Sequence, residues 1–116
     1  MGSMKRFQYS SVPAEDVPPP AEGVKVRWLI TEETGAPNFA MREFTVEPGG
    51  STPCHAHPWE HEVFVLAGKG TVSGEDGDEP VRPGDVVFVP QDEEHQFRNN
   101  GDKDLRFLCL IPQQKK

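Results

Sequence analysis

From Val24 onward, apolar and polar positions alternate in short runs separated by turn-forming residues. Val24-Lys25-Val26-Arg27-Trp28-Leu29-Ile30 is the first run and Phe39 to Val46 the second, with TEETGAPN between them. Period-two alternation in runs rich in Val, Ile, Phe and Trp is the pattern of strands. Gly49-Gly50 marks the next turn, and His61 to Ser73 reads as one long run bent at Gly68 and Gly70. Gly74 to Asp78 is a polar hairpin tip, and Arg82-Pro83-Gly84-Asp85 is a further turn. Val86 to Val89, His95 to Arg98 and Leu105 to Ile111 complete the set. No stretch repeats its apolar residues at the helical period. About eight to ten short antiparallel strands predict an all-β domain, a closed barrel or jelly roll.

Several runs are apolar on both faces. Val63 and Val65 alternate with Phe64 and Leu66, and Phe107 and Ile111 alternate with Leu108 and Leu110. A sheet wetted on one side would carry polar residues on that side. Some outer faces are therefore expected to be covered, which predicts a homodimer packed sheet on sheet.

Length and composition agree with one turn-rich β domain: 116 residues, 11 Gly, 12 Pro and 34% hydrophobic residues. The net charge of -7 argues against nucleic acid or an anionic membrane surface as a partner, because both select for basic patches. Met1-Gly2-Ser3 reads as an expression scar ahead of a native start at Met4. Residues 4–23 are expected to form an N-terminal strand and a proline-rich arm, in which Pro18-Pro19-Pro20 excludes helix. Residues 24–116 are expected to form the barrel. The start MKRFQYSSV lacks the apolar core of a secretory signal, and there is no apolar run of about 18 residues. The expected location is the cytoplasm, with Cys54 and Cys109 as free thiols.

The chemistry gathers on the four histidines. His55, His57 and His61 fall within seven residues, and His95 lies in GDVVFVPQDEEHQFRN. In a strand, His55 and His57 share a face with Ala56 opposite. A straight strand would set His61 about 20 Å from His55, so the chain must reverse at Pro58-Trp59-Glu60 for one metal ion to reach all three. His95, after the turn sequence Pro90-Gln91-Asp92-Glu93-Glu94, brings a fourth imidazole.

These stretches resemble the two cupin motifs. The first, G-x5-H-x-H-x3,4-E-x6-G, is matched by Gly49, His55, His57 and Gly68, and the second, G-x5-P-x-G-x2-H-x3-N, by Gly84, Pro90, His95 and Asn99. Asp92 replaces the glycine of the second motif, a position Asp tolerates because it enters the left-handed region more readily than most residues. Either His61 or Glu62 can stand at the glutamate position. Parity favours His61, which shares the register of Val63 and Val65, while Glu62 alternates with Phe64 and Leu66 on the other face. The resemblance, from about Val24 to Pro112, is to a small single-domain manganese cupin group with four histidine ligands. It implies a double-stranded β-helix, or jelly-roll barrel, a homodimer, and ligands His55, His57, His61 and His95 with Glu62 as runner-up.

Imidazole suits Mn, Fe, Co, Ni, Cu and Zn alike. The resemblance implies one divalent transition metal per subunit, manganese first, with Fe, Ni, Cu or Zn as alternatives. Four ligands on an octahedral ion leave two adjacent positions for substrate and dioxygen or for a bidentate ligand. Four neutral ligands keep the charge at +2, which favours an anionic or enolate-forming substrate. Parity places Phe97 with His95, and lines up Phe107, Cys109 and Ile111. Arg42 stands among Ala40, Phe44 and Val46, where it can meet a carboxylate or phenolate, and Trp59 either roofs the entrance or packs. The expected lining is thus Arg42, Phe44, Trp59, Phe97, Phe107, Cys109 and Ile111. The leading expectation is a metal-dependent dioxygenase acting on a small aromatic or enolisable substrate. Metal-dependent isomerase or lyase chemistry and non-catalytic small-molecule binding are the alternatives.

Overall fold

The computed structural model describes residues 4–114. Met1 to Ser3, read as an expression scar, lie outside the described residues. Among the described residues nine strands are present: β1 Glu15–Asp16, β2 Glu22–Ile30, β3 Phe39–Ser51, β4 His61–Ala67, β5 Gly70–Gly74, β6 Gly77–Val81, β7 Val86–Val89, β8 Gln96–Arg98 and β9 Leu105–Pro112. The only helical turns among the described residues are two three-residue 3-10 turns, Tyr9–Ser11 and Glu32–Thr34. All strands join one curled antiparallel sheet in the order β6-β5-β8-β3-β9-β4-β7, with β2 paired to β3 and β1 to β2.

Alternation chooses the inner face. Along β9 the buried positions are Leu105, Phe107, Cys109 and Ile111, and on β4 they are His61, Val63 and Val65. Cross-strand register aligns them into rows: Phe44 opposite Phe107, and Phe107 opposite Val65. These rows, with Val24, Val46, Val72, Val81 and Phe97, make the core.

Two expectations change. Gly49-Gly50 is not a turn, because β3 runs through it to Ser51. Gly49 takes φ +82°, and the ladder slips there, so that β3 leaves β9 after Val46 opposite Leu105 and reaches β8 with Ser51 opposite Arg98. A positive-φ glycine permits such a bulge without breaking the strand. The run His61 to Ser73 is broken rather than bent. Gly68 has φ +80° and lies so close to Asp104 and Leu105 that a Cβ would collide with the Asp104 carbonyl. There the chain passes from β4, paired with β7 and β9, to β5, paired with β6 and β8. The arm is also tied down, as Glu15 pairs with Val26 and Asp16 with Lys25, and Ala21 is buried.

The outer face combines two environments. Glu43, 1% exposed, receives Arg27 at 3.3 Å and Arg106 at 2.9 Å, and Thr45 Oγ1 donates to its Oε2 at 3.0 Å. Tyr9 covers both guanidinium groups, and Arg27 Nε donates to the Val12 carbonyl. Farther along the same face, Phe64, Val86 and Phe88 are exposed to solvent.

Candidate metal centre and cavity

The four histidines arrive on three separate pieces of chain. His55 and His95 form an isolated antiparallel bridge in which His55 N donates to the His95 carbonyl at 3.2 Å and His95 N to the His55 carbonyl at 3.0 Å. Asp92 takes φ 67°, as expected for its place in the second motif, and its N–H donates to the His57 carbonyl at 2.6 Å. The turn before His95 thus fastens the loop that carries His57. Pro58-Trp59 bends the chain, and His61 opens β4 facing inward, 6% exposed. Thr52 fixes the loop to β8: its N–H donates to the Phe97 carbonyl at 2.9 Å, and its Oγ1 accepts from Phe97 N at 2.8 Å.

The rings meet at one end of a cavity of about 310 Å³. Centroid separations are 4.3 Å for His55–His57, 4.7 Å for His61–His95, 5.3 Å for His55–His95 and 5.5 Å for His57–His61. An imidazole bonded at about 2.1 Å holds its centroid roughly 3.2 Å from the ion, so ligands at adjacent octahedral or tetrahedral positions lie about 4.5–5.2 Å apart. The observed spacing fits that range to within a few tenths of an ångström. Among the described residues no group of three or more His, Cys, Asp or Glu is already closed to metal-holding geometry. The four rings nevertheless line the same cavity. His95 Nδ1 lies 3.0 Å from the Glu93 carbonyl, a contact that assigns it the proton and leaves Nε2 as a donor atom for a metal. His61 Nδ1 is buried with no hydrogen-bond partner, a loss that a purely structural histidine would not be expected to carry.

The electrostatics match a cation-binding set kept in its neutral form. Burial first, then repulsion from neighbouring histidines and Arg42, pushes His55 down to about 4 and His61 down to about 3. His57 is lowered by the same causes, burial leading. Near neutral pH these three rings keep lone pairs for a metal rather than protons.

The remainder of the cavity is mostly apolar. Phe44, Phe107 and Phe97 form a stacked floor, with centroids 5.4 Å apart for the first pair and 4.6 Å for the second. Phe97 meets His95 edge-on at 6.5 Å. Arg42 and Cys109, paired across β3 and β9, also line it. Two residues expected in the lining lie elsewhere. Trp59 stacks flat on His57 at 4.5 Å and packs against the core, so it backs His57 rather than roofing the entrance. Ile111 shares the inner face but lies two residues beyond Cys109, lining a smaller recess with Ala40 and Pro112. Glu62 is exposed on the opposite face of β4 from His61, beside Glu60.

The sequence reading missed one wall altogether. Val24, Val26 and Trp28 of β2 and Glu15 to Pro18 of the arm line the cavity. Alternation along β2 could have revealed the first three. The arm carries no periodic signal, and only its pairing with β2 brings it there.

Comparison with known proteins decides the family: residues 42–111 match the cupin domain. The chain is a cupin. The polyketide cyclase RemF from Streptomyces resistomycificus superposes on this cupin with a TM-score of 0.91 at 40% identity, covering 97% of this chain and 81% of RemF. Protein SchB of Streptomyces halstedii is 38% identical over 108 residues, 90% of this cupin and 78% of SchB. A gentisate 1,2-dioxygenase from Haloferax sp is 32% identical over 109 residues, which span 86% of this cupin but only 29% of that protein. Among the described residues, no helix is long and apolar enough to cross a membrane.

Proposed function

We propose that this cupin is a divalent-metal enzyme that closes a ring in an enolisable, carbonyl-rich organic substrate, with His55, His57, His61 and His95 holding the metal. The observation that carries the proposal is the convergence of four imidazoles, three of them strongly disposed to stay neutral, at the end of a cavity floored by three stacked phenylalanines. Similarity to RemF over nearly the full chain supports ring closure as the leading reading among the chemistries such a site can perform.

When bound, a divalent ion supplies Lewis acidity toward a carbonyl oxygen. The residues do the rest. The four uncharged ligands leave the ion's full +2 charge in place, more electrophilic than a site containing a carboxylate. The Phe44-Phe107-Phe97 stack gives an organic substrate an apolar wall to pack against, fixing its reacting atoms relative to the histidines. The apolar walls keep bulk water from competing for an acidified carbon. Manganese is the first candidate, with Fe, Ni, Cu or Zn as alternatives, since imidazole serves them all.

Carbon–carbon bond cleavage by a dioxygenase is the second reading, supported by the likeness to the gentisate enzyme. One experiment separates the two. Purified protein is analysed for bound metal, then incubated with poly-β-carbonyl and phenolic compounds while oxygen uptake and product mass are followed. Ring closure by condensation appears as loss of one water without oxygen uptake, and dioxygenation as uptake of one O2. Metal-dependent turnover in neither assay would refute both readings. We also infer that the exposed Phe64, Val86 and Phe88 face is covered by a second copy of the chain.

A further inference from the structure

The histidine end of the cavity has a counterpart that the proposed chemistry does not use. Arg42 points into the cavity from β3 and forms no ion pair among the described residues, where Lys25, Arg27, Arg98 and Arg106 each do. Its one side-chain hydrogen bond among the described residues runs from Nη2 to Cys109 Sγ at 3.1 Å. Its Nε is buried and meets no acceptor. Burial pushes the Cys109 thiol up, so this partner is a neutral sulfur and leaves the guanidinium charge uncompensated. The group is nevertheless held in place, with Cζ 5.3 Å from the Trp28 ring and 4.9 Å from the Phe44 ring.

A guanidinium fixed between two aromatic rings, partly desolvated and without a carboxylate, is costly unless something else supplies the negative charge. Its position indicates what that is. Phe44, which lies against Arg42, begins the stacked floor that continues through Phe107 to Phe97 and reaches His95. The cavity therefore brings together the four histidines, a stack of three phenylalanines and a permanent cation. We propose that the substrate is a planar conjugated organic anion that packs against these phenylalanines with a carboxylate or enolate oxygen on Arg42. Arg42 is thus the specificity-determining residue of the site. The assignment rests on the four histidines forming the metal end, as proposed above. Arginine suits the role because it stays charged and presents a planar fork of N–H donors matched to an oxyanion.

The test uses the full chain stripped of metal, so that no ion competes for the probe. Fluorescence titration at pH 7.5 compares 3-hydroxy-2-naphthoate with its uncharged amide, in the wild type and in Arg42→Gln. The expected result is a wild-type preference for the anion of about tenfold or more, lost in Arg42→Gln through weaker anion binding while amide binding changes less than about threefold. Equal affinity of the wild type for anion and amide overturns the proposal, and so does undiminished anion binding by Arg42→Gln. If Arg42→Gln fails to fold, Arg42→Lys replaces it: this variant keeps a charge but not the fork, so an anion preference reduced below that of the wild type supports the assignment and an unchanged one overturns it. Zinc(II) titration calorimetry runs in parallel. Failure to bind zinc would refute the four-histidine centre while leaving the naphthoate comparison readable.

Discussion

Asn99 gives a sharp test of what holds the site in register. It is 2% exposed and satisfies three main-chain groups at once: Nδ2 donates to the Val46 carbonyl at 2.8 Å and the Lys103 carbonyl at 2.7 Å, and Oδ1 accepts from Gly101 N at 2.9 Å. Its own backbone pairs with Gly49 and Gly50 at the β3 bulge, four residues after His95. Asn99→Ala leaves those backbone bonds possible but strands three partners. A buried polar group without a partner costs about 1–3 kcal/mol. Val46 lies in the fully buried core and bears the upper end of that range, whereas water can reach the part-buried loop near Lys103. The total comes to about 2–4 kcal/mol, a large share of the roughly 5–15 kcal/mol that stabilises a domain. At about 4 °C per kcal/mol for a chain of this size, melting should fall by about 8–16 °C.

The assay is calorimetric melting of metal-free protein at pH 7.5, with Asn100→Ala as control. Asn100 is exposed and makes a single side-chain bond, to Thr71 Oγ1 at 3.1 Å, so its loss should cost no more than about 0.5 kcal/mol. Asn99→Asp should be worse than Ala, because a carboxylate would place oxygen against two carbonyl oxygens, and its deficit should shrink as acid protonates it. An Asn99→Ala protein that melts within about 3 °C of the wild type, or no lower than the Asn100 control, would show that the loop is held by its backbone pairs alone.

The metal centre and the assembly provide further checks. His57→Ala and His61→Ala should each weaken zinc or manganese binding by more than about 100-fold, beyond the loss typical of removing an outer partner, while Glu62→Ala binds nearly as the wild type; the opposite order in metal analysis would move the ligand from His61 to Glu62. Because His55 and His61 are pushed down to about 4 and about 3 in the folded chain, the unfolded chain takes up protons that the folded one refuses. Urea denaturation of metal-free protein should therefore show stability falling as pH drops from about 6.5 toward 4, and a curve flat across that window would contradict the buried-ring account. Light scattering coupled to size exclusion should give the mass of two chains, and Phe64→Lys, placed at the exposed 46% aromatic, should shift it to one; a wild-type monomer at micromolar concentration would remove the dimer proposal.

Much of the site was legible in the chain because strands convert sequence parity into facing. Val63, Val65 and His61 had to share a side, which separates His61 from Glu62 on strand parity alone. The tolerance of Asp for left-handed backbone anticipated Asp92. The same local rules failed where a glycine's consequence depended on distant chain. Gly49-Gly50 reads as a turn, yet Asn99 and Ser51 find partners that let β3 continue. Gly68 reads as a bend, yet the nearby Asp104 carbonyl makes it a crossing point between the two sides of the sheet.

The alternation of side chains thus determined that this would be a β domain with histidines on an inner face, because a strand's period is intrinsic to its backbone. Tertiary structure alone decided that Trp59 would back His57, that Ile111 would fall outside the cavity, and that the proline-rich arm would supply a wall. Those outcomes depend on which strands become neighbours and on where the ladder slips. Neither is encoded in any one segment, since pairing is settled by the joint burial of residues far apart in sequence.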